Sequence, residues 1–211
     1  MPWRAALGYL SLEPGIGRAF DSALRGVPTR EREIAEIQVH RGLNAPLASS
    51  MGRLFDAAAA VIGIRRVASY EGQAAMELEA LAGERPGPVC PCRLFSRDGR
   101  ILLDPLPLLS RLGCRRVGGA DPADLAADFH ESIASVTALI VRRLAQETGL
   151  DVVAVSGGVF QNVRLLAALT TRLEAAGLTV LAARSLPPND GAVSYGQAAV
   201  AAALLAAELE A

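Results

Sequence analysis

Apolar and polar positions in the last third of the chain form two kinds of segment. Residues 151–155 and 178–182 are short β-rich apolar runs, and the segment from about 160 to 176 repeats its apolar positions at helical spacing. Parallel strands need such a crossover, so this order predicts a right-handed parallel βαβ unit. A last helix is predicted from the residues after Gly191 to Ala211.

A long amphipathic segment precedes this unit. Asp121-Pro122 combines a good N-cap with a proline at the first helical position, and the helix is predicted to reach about Thr148. His130 marks the point where it could be interrupted. Shorter helices are predicted over residues 30–40, 51–62 and 74–81. These patterns predict an α/β chain rich in helix.

Residues 83–120 differ from the rest because prolines and glycines cluster there. Two short apolar runs, 93–96 and 101–103, flank Asp98-Gly99, and Asp-Gly between such runs is a hairpin signal. We therefore expect a β-hairpin insertion at the rim of a single lobe that spans residues 1–211.

Composition fits an ordinary buried core built mainly from alanine, leucine and valine. Hydrophobic residues make up 51% of the 211 residues, charged residues make up 20%, and the net charge is −1. Because basic residues are not in excess over acidic ones, a nucleic-acid partner is not expected. All 21 basic residues are arginine. A P-loop and Schiff-base catalysis are therefore excluded, because each requires a lysine.

Three cysteines, Cys90, Cys92 and Cys114, give no even disulfide framework, which favours a reducing cytoplasm. The first two have no second pair at zinc spacing, so a zinc site is disfavoured. No signal peptide is expected, because the start lacks a basic segment followed by an apolar one. The longest apolar run, 198–207, is about half of the ~20 residues that a bilayer requires. It predicts a buried helix and no membrane contact.

The strongest local motif runs from Ser156 to Asn162, where two glycines follow a predicted strand and precede a predicted helix. Gly157 and Gly158 would let a ligand approach the backbone, and the free N–H groups of the helix N-terminus would favour a phosphate. Asn162 could then bind a base or a ribose. The alternative is that the glycines only allow the strand to pack tightly against the helix.

A second loop, Pro187 to Gly191, follows the other predicted strand. Ligand sites in open α/β sheets gather beyond the carboxyl ends of the strands, so both loops should project from the same edge. Asp190 would then lie near the glycine turn, where its carboxylate could hold a metal that meets phosphate oxygens. The alternative is that Asp190 is the N-cap of the last helix.

Two polar positions in predicted helices are candidates for buried contacts. Asp56 lies among apolar neighbours, where a carboxylate needs a partner, either a ribose diol of a ligand or an arginine, Arg53 or another. His130 lies on the long predicted helix and His40 in a charged one. Both histidines are expected to be packing or surface residues and not catalytic groups.

These motifs, in their order along the chain, resemble the HypF carbamoyltransferase family, and more closely the C-terminal part of its TsaD-like domain. The resemblance extends over nearly the whole chain. The matching stretches are Pro2 to Arg4, Asn44 to Asp56, Ser69 to Leu81, Phe129-His130, Ser156 to Asn162 and Leu186 to Gln197.

The resemblance implies an ASKHA fold, in which two RNase-H-like lobes clamp a nucleotide, with this chain as the C-terminal lobe. It implies that carbamoyl phosphate and ATP yield carbamoyl-adenylate. The carbamoyl group then passes to the C-terminal cysteine of HypE during maturation of nickel–iron hydrogenases. The residues carried over are Gly157, Gly158 and Asn162 for the nucleotide, Asp56 and Glu77 for the ribose with Gly72 in the adjoining loop, and Asp190 for a divalent metal, iron or magnesium.

The sequence departs from the family pattern at the metal. In the family the metal is also held by a His-x-x-x-His pair, whereas the two histidines here are 90 positions apart. The metal and complete carbamoyl-adenylate synthesis are therefore expected only with the remainder of HypF. The chain is either a catalytic lobe that works with that remainder or a non-catalytic module that binds a nucleotide or a partner. By itself it is expected to bind nucleotide weakly at best.

Overall fold

The structure is a computed structural model that describes residues 1–209. Nine α-helices and two two-stranded sheets occupy these residues. The helices are α1 Pro2–Leu12, α2 Asp21–Leu24, α3 Thr29–Arg41, α4 Met51–Ile62, α5 Gln73–Ala82, α6 Leu106–Val117, α7 Pro122–Thr148, α8 Val163–Glu174 and α9 Val193–Leu209. The strands are β1 Arg93–Arg97, β2 Arg100–Asp104, β3 Val152–Val155 and β4 Thr179–Ala182. The rest of the predicted last helix, to Ala211, lies outside the described residues.

The core is built around α4. Every residue from Leu54 to Ile62 is buried, and the helix packs against α1, α5, α6 and α7. Four consecutive alanines, 57–60, leave room for these neighbours to approach closely. The Ser50 hydroxyl accepts a hydrogen bond from the Arg53 N–H and starts the helix, and Gly63 ends it with a φ of 87°. Local signals in the sequence therefore set both ends of the central helix.

The long helix α7 runs without interruption over 27 residues, so the interruption considered near His130 does not occur. The imidazole does not break the helix because its Nδ1 donates to the carbonyl of Ala126, one turn earlier, at 2.8 Å. The ring itself is fully buried. A buried polar side chain is tolerated in a helix when its hydrogen bonds are made.

The βαβ unit is confirmed. Strands β3 and β4 pair in parallel, with Val152 opposite Thr179 and Val155 opposite Ala182. The crossover helix starts later than predicted, because a 3₁₀ turn over Gly158–Gln161 comes first and Asn162 is the N-cap of α8. A residue in a capping conformation cannot also lie inside the helix, so α8 begins at Val163.

The region 83–120 contains the predicted β-hairpin and also a helix. The hairpin is confirmed, with β1 and β2 antiparallel around Asp98 and Gly99, which have φ values of 51° and 70°. Residues Leu106–Val117, however, form the helix α6, which the sequence pattern did not predict. Its leucines Leu108, Leu109 and Leu112 are fully buried. Pro107 lies in the first turn of α6, where a proline is tolerated, so it does not act as a helix breaker.

The last helix, α9, does not match its predicted burial. The apolar run 198–207 was expected in the core, but Leu204 and Leu205 are 62% and 61% exposed. The main packing contact of α9 within the chain is the short 3₁₀ turn Asp190–Ala192 that precedes it. No helix among residues 1–209 has both the length and the apolar character that crossing a bilayer requires.

Candidate functional site

Two loops meet at the carboxyl ends of β3 and β4. Beyond β3, the Gly157 N–H donates to the carbonyl of Pro188 at 2.7 Å, and the Ser156 hydroxyl lies 3.5 Å from the same oxygen. The expectation that both loops project from one edge is therefore confirmed. A Cβ atom built on Gly158 would lie 3.7 Å from the Cβ of Asn189, the neighbour of Asp190.

The two glycines of the turn have different conformational roles. Gly157 has a φ of 104° and a ψ of 158°, a region that only glycine adopts readily. Gly158 has no such requirement, and a Cβ atom built on it would lie 3.7 Å from the Asn189 Cβ, an ordinary contact. The backbone conformation of the turn therefore explains why residue 157 is a glycine. Nothing within the described residues requires a glycine at position 158.

Two N–H groups in the first turn of α8 have internal partners. The Leu165 N–H donates to Oδ1 of Asn162 at 2.7 Å. The Arg164 N–H donates to Oε1 of Glu79, on α5, at 3.1 Å. A carboxylate and a capping amide are thus the internal partners of these two N–H groups. The phosphate contact expected at the glycine turn and the start of α8 stays a prediction.

The side chain of Asn162 makes two internal contacts. Besides its cap to Leu165, its Nδ2 donates to Nε2 of His130 at 2.9 Å, and both side chains are buried, with Asn162 7% and His130 0% exposed. Its role in this structure is to cap α8. The ribose or base contact expected from the sequence therefore stays a prediction.

His130 is held as one neutral tautomer. The Ala126 carbonyl can only accept, so the proton is on Nδ1, and the lone pair on Nε2 accepts from Asn162. Burial lowers the pKa of His130 to about 4, and the charge of Arg164 also lowers it, while the Ala126 hydrogen bond and Glu131 oppose this shift. Both nitrogens are engaged inside the protein, in keeping with the packing role expected for this residue.

The two candidate ribose carboxylates each have an arginine partner. Oδ2 of Asp56 lies 2.9 Å from Nη1 of Arg53, so the intrachain partner considered for Asp56 is present. Glu77 accepts two hydrogen bonds from Arg65, at 2.7 and 2.5 Å, and a third from Gln73 at 2.9 Å. Whatever else they bind, both carboxylates are satisfied by arginines in this chain.

The electrostatic environments of these carboxylates differ. Burial raises the pKa of Asp56, and the charge of Arg53 only partly opposes this. The hydrogen bond from Arg65 lowers the pKa of Glu77, with a smaller contribution from Gln73 against the effect of burial. Glu77 is therefore held as a carboxylate more firmly than Asp56. Nearby, Gly72 adopts a φ of 75° as the N-cap residue of α5, a conformation that favours glycine.

Asp190 is exposed, and it is not the cap that the sequence offered as an alternative. The cap belongs to Asn189, whose Oδ1 accepts from the Gly191 N–H at 3.1 Å. Across residues 1–209, no three His, Cys, Asp or Glu side chains gather closely enough to hold a metal ion. Divalent metals need several such ligands. Asp190 has no such group of neighbouring side chains among the described residues.

Sequence reasoning missed two residues that shape this region. Arg164 links the start of α8 to α5 and α7, because its guanidinium donates to the carbonyls of Gly83 and Arg85 and lies 3.2 Å from Glu131. Glu79 accepts the Arg164 N–H. Charged residues on helices usually face solvent, so neither stood out in the helical pattern.

The comparisons with known proteins decide the family. Residues 1–197 match the family described as "Carbamoyltransferase, Kae1-like Domain, second subdomain". The chain belongs to the HypF carbamoyltransferase family. It is 43% identical over 206 residues to the carbamoyltransferase HypF of Rhodobacter capsulatus, covering 97% of this chain and 26% of that protein.

Solved HypF structures share the fold. A crystal structure of full-length HypF, described as its phosphate- and nucleotide-bound form, matches with a TM-score of 0.87 and 35% identity over 96% of this chain and 26% of that one. HypF of T. kodakarensis matches with a TM-score of 0.74 and 28% identity over 98% of this chain and 28% of that one. The chain thus has the helix-rich ASKHA fold of HypF and spans about a quarter of the length of these relatives.

Proposed function

We propose that this chain is the C-terminal lobe of the HypF domain that binds ATP or carbamoyl-adenylate and transfers the carbamoyl group to the C-terminal cysteine of HypE. In this role it serves the maturation of nickel–iron hydrogenases. The observation that carries the proposal is the hydrogen bond from Gly157 to Pro188, which joins the glycine turn and the Asp190 loop in a chain of the HypF family.

The two glycines support a ligand at this edge. Gly157 is explained by its backbone conformation, whereas Gly158 has space for a Cβ atom within this chain. A glycine without an internal reason is typical of a backbone that another molecule approaches closely. We propose that the nucleotide lies against Gly158, with the end of α8 already satisfied by Asn162 and Glu79.

The ribose is proposed to bind at Asp56. Arg53 is 58% exposed at its side chain and only one helical turn away, so it can move into solvent when a diol takes its place. The corresponding role of Glu77 requires a rearrangement of two hydrogen bonds from Arg65. We therefore expect Asp56 to contribute more than Glu77 to ribose binding.

The remainder of HypF is the partner proposed to complete the site. Asp190 would contribute one carboxylate to a divalent metal, iron or magnesium, and the other ligands would come from that remainder. Exposed apolar side chains on α9 support an extensive contact with another part of the protein. They are Val193, Tyr195, Val200, Leu204 and Leu205. The free thiols of Cys90, Cys92 and Cys114 support a reducing compartment, which we propose is the cytoplasm.

The proposal is tested by reconstitution. The chain is combined with the remainder of HypF, HypE, ATP and carbamoyl phosphate, and the mass of the C-terminal peptide of HypE reports carbamoylation. We expect transfer with the unaltered chain and a loss of at least about tenfold with Gly158→Ala, since a methyl group would displace the nucleotide. A matched control is Gly8→Ala on α1, where a Cβ meets nothing within 4 Å. Equal transfer by both variants would refute the proposed binding edge.

The exposed α9 also supports a second candidate function, a non-catalytic module that binds a nucleotide or a partner. The same reconstitution separates the two. If the chain associates with the remainder of HypF but its omission leaves carbamoyl transfer unchanged, the module is correct. If transfer depends on the chain and on Gly158, the catalytic lobe is correct.

A further inference from the structure

His130 is a fully buried imidazole to which the proposed function gives no role. It lies on α7, and its two nitrogens bind different elements. Nδ1 donates to Ala126 within α7, and Nε2 accepts from Asn162, at the end of the glycine turn. The ring therefore connects the long helix to the loop that precedes α8.

The tautomer of His130 and the orientation of the Asn162 amide fix each other. Oδ1 of Asn162 must face the Leu165 N–H, so Nδ2 faces His130. A flipped amide would place Oδ1 against the lone pair of Nε2 and an N–H donor against the Leu165 N–H. Both contacts would then be repulsive. The amide has one stable orientation as long as Nε2 carries no proton.

The other side of the ring contacts the central helix. Phe55 on α4 meets His130 edge to face at a centroid separation of 5.5 Å, and Phe129 completes a group of three buried rings. Phe55 is the chain neighbour of Asp56, and Asn162 closes the turn that contains Gly158. One side chain thus contacts both α4 and the residue that closes the glycine turn, the segments proposed to bind the ribose and the phosphates.

We propose that His130 is a positioning residue that sets the glycine turn relative to Asp56, through its hydrogen bond to Asn162 and its ring contact with Phe55. The turn and α4 belong to distant parts of the sequence and pack against each other, and a rigid aromatic ring with satisfied nitrogens contacts both and limits how they can shift. The identity of the bound ligand rests on the proposed function, whereas the positioning of the turn does not.

Two variants test this role in the 211-residue chain. His130→Phe keeps an aromatic ring against Phe55 but removes both hydrogen bonds. His130→Gln keeps an acceptor oxygen for Asn162. Hydrogen exchange is measured at the amides of residues 158–166 and, as an internal reference, at the buried α4 amides of residues 57–60.

We expect His130→Phe to raise the hydrogen-exchange rate at residues 158–166 by about tenfold more than at residues 57–60, because the buried side-chain amide of Asn162 loses its acceptor. His130→Gln should restore most of this protection. A uniform rise in both segments would mean that His130 is only a packing residue and would overturn the proposal. Imidazole ¹H–¹⁵N spectra give a second readout, with His40 supplying the other imidazole signal. A proton on Nε2 of His130 in the unaltered chain would also overturn it.

A titration with ADP up to millimolar concentration, monitored by backbone amide chemical shifts, tests the part of the inference that rests on the proposed function, the identity of the ligand. We expect weak binding that perturbs Gly158 in the unaltered chain and in His130→Gln, with at least about tenfold lower affinity in His130→Phe. If unaltered chain joined to the remainder of HypF fails to bind ADP, the proposed function is refuted. The exchange data would still decide the role of His130.

Discussion

The backbone N–H of Gly157 lies 2.7 Å from the carbonyl oxygen of Pro188 and donates to it. This hydrogen bond joins the loop after β3 to the loop after β4, beyond the paired ends at Val155 and Ala182. Because the strands are parallel, both loops leave the sheet at the same edge. The contact therefore gives the proposed ligand edge a defined geometry before any ligand arrives.

Replacement of the two glycines in the turn should change the stability by different amounts. Gly157→Ala forces an alanine into a φ of 104°, and we expect it to lower the free energy of unfolding by about 1–3 kcal/mol. Gly158→Ala should change it by less than about 0.5 kcal/mol, because the added Cβ meets only the Asn189 Cβ at 3.7 Å. Urea unfolding measures both. Equal destabilisation would show that the conformation of Gly158 is also special.

Asn162→Asp should raise the pKa of His130 above its value of about 4. A carboxylate can still accept the Leu165 N–H, but it cannot donate to Nε2 and would favour a protonated imidazole. Imidazole chemical shifts followed against pH give the result. Asn162→Ser is the control, because serine can cap α8 without adding charge. If both variants shift the pKa equally, charge is not the cause.

The buried imidazole should make stability depend on pH. The pKa of His130 is lowered from about 6.5 to about 4 in the folded state, so the unfolded chain binds the extra proton between these values. Stability therefore falls as the pH falls through this window, by about 3 kcal/mol in total. Thermal unfolding of the chain and of His130→Phe at several pH values measures the difference.

In the comparison with His130→Phe, the contributions of the aspartates to the pH dependence of stability cancel. Burial raises the pKa of Asp56 and of Asp128, and both side chains are present in the unaltered chain and in the variant. The difference between the two stability curves thus isolates His130. Parallel curves over the whole range would show that His130 is protonated as readily in the folded chain as in the unfolded one.

Asp190 should matter for function and hardly at all for folding. It is exposed, and the cap of the following turn comes from Asn189, so we expect Asp190→Ala to change the free energy of unfolding by less than about 0.5 kcal/mol. Asn189→Ala should cost about 1 kcal/mol, because it removes the cap. Urea unfolding of the two variants gives this comparison directly.

With the remainder of HypF present, Asp190→Ala should abolish carbamoyl transfer to HypE, because the proposed metal would lose a ligand. The chain alone should hold no metal tightly at Asp190, which metal analysis after dialysis measures. Normal transfer by the variant would contradict the metal role. So would a metal retained by the chain alone and released by Asp190→Ala.

The sequence by itself determined the features that depend on neighbouring residues. The Asp121 cap, the Asp98-Gly99 turn and the two β-rich runs of the βαβ unit were all predicted correctly. These features follow from local backbone preferences and from hydrogen bonds between residues a few positions apart. The ordered set of motifs also indicated the family, which the match over residues 1–197 shows.

Only the tertiary structure decided which polar groups pair with each other. Glu79 reaches the Arg164 N–H across 85 positions, and Asn162 reaches His130 across 32. These internal partners of the start of α8 could not be predicted from the sequence, whereas the glycine turn between the strand and the helix was correctly placed. The helix α6 and the exposure of α9 escaped prediction for a related reason. Burial depends on which surfaces the fold brings together, and neither hydrophobic pattern nor local propensity specifies those partners.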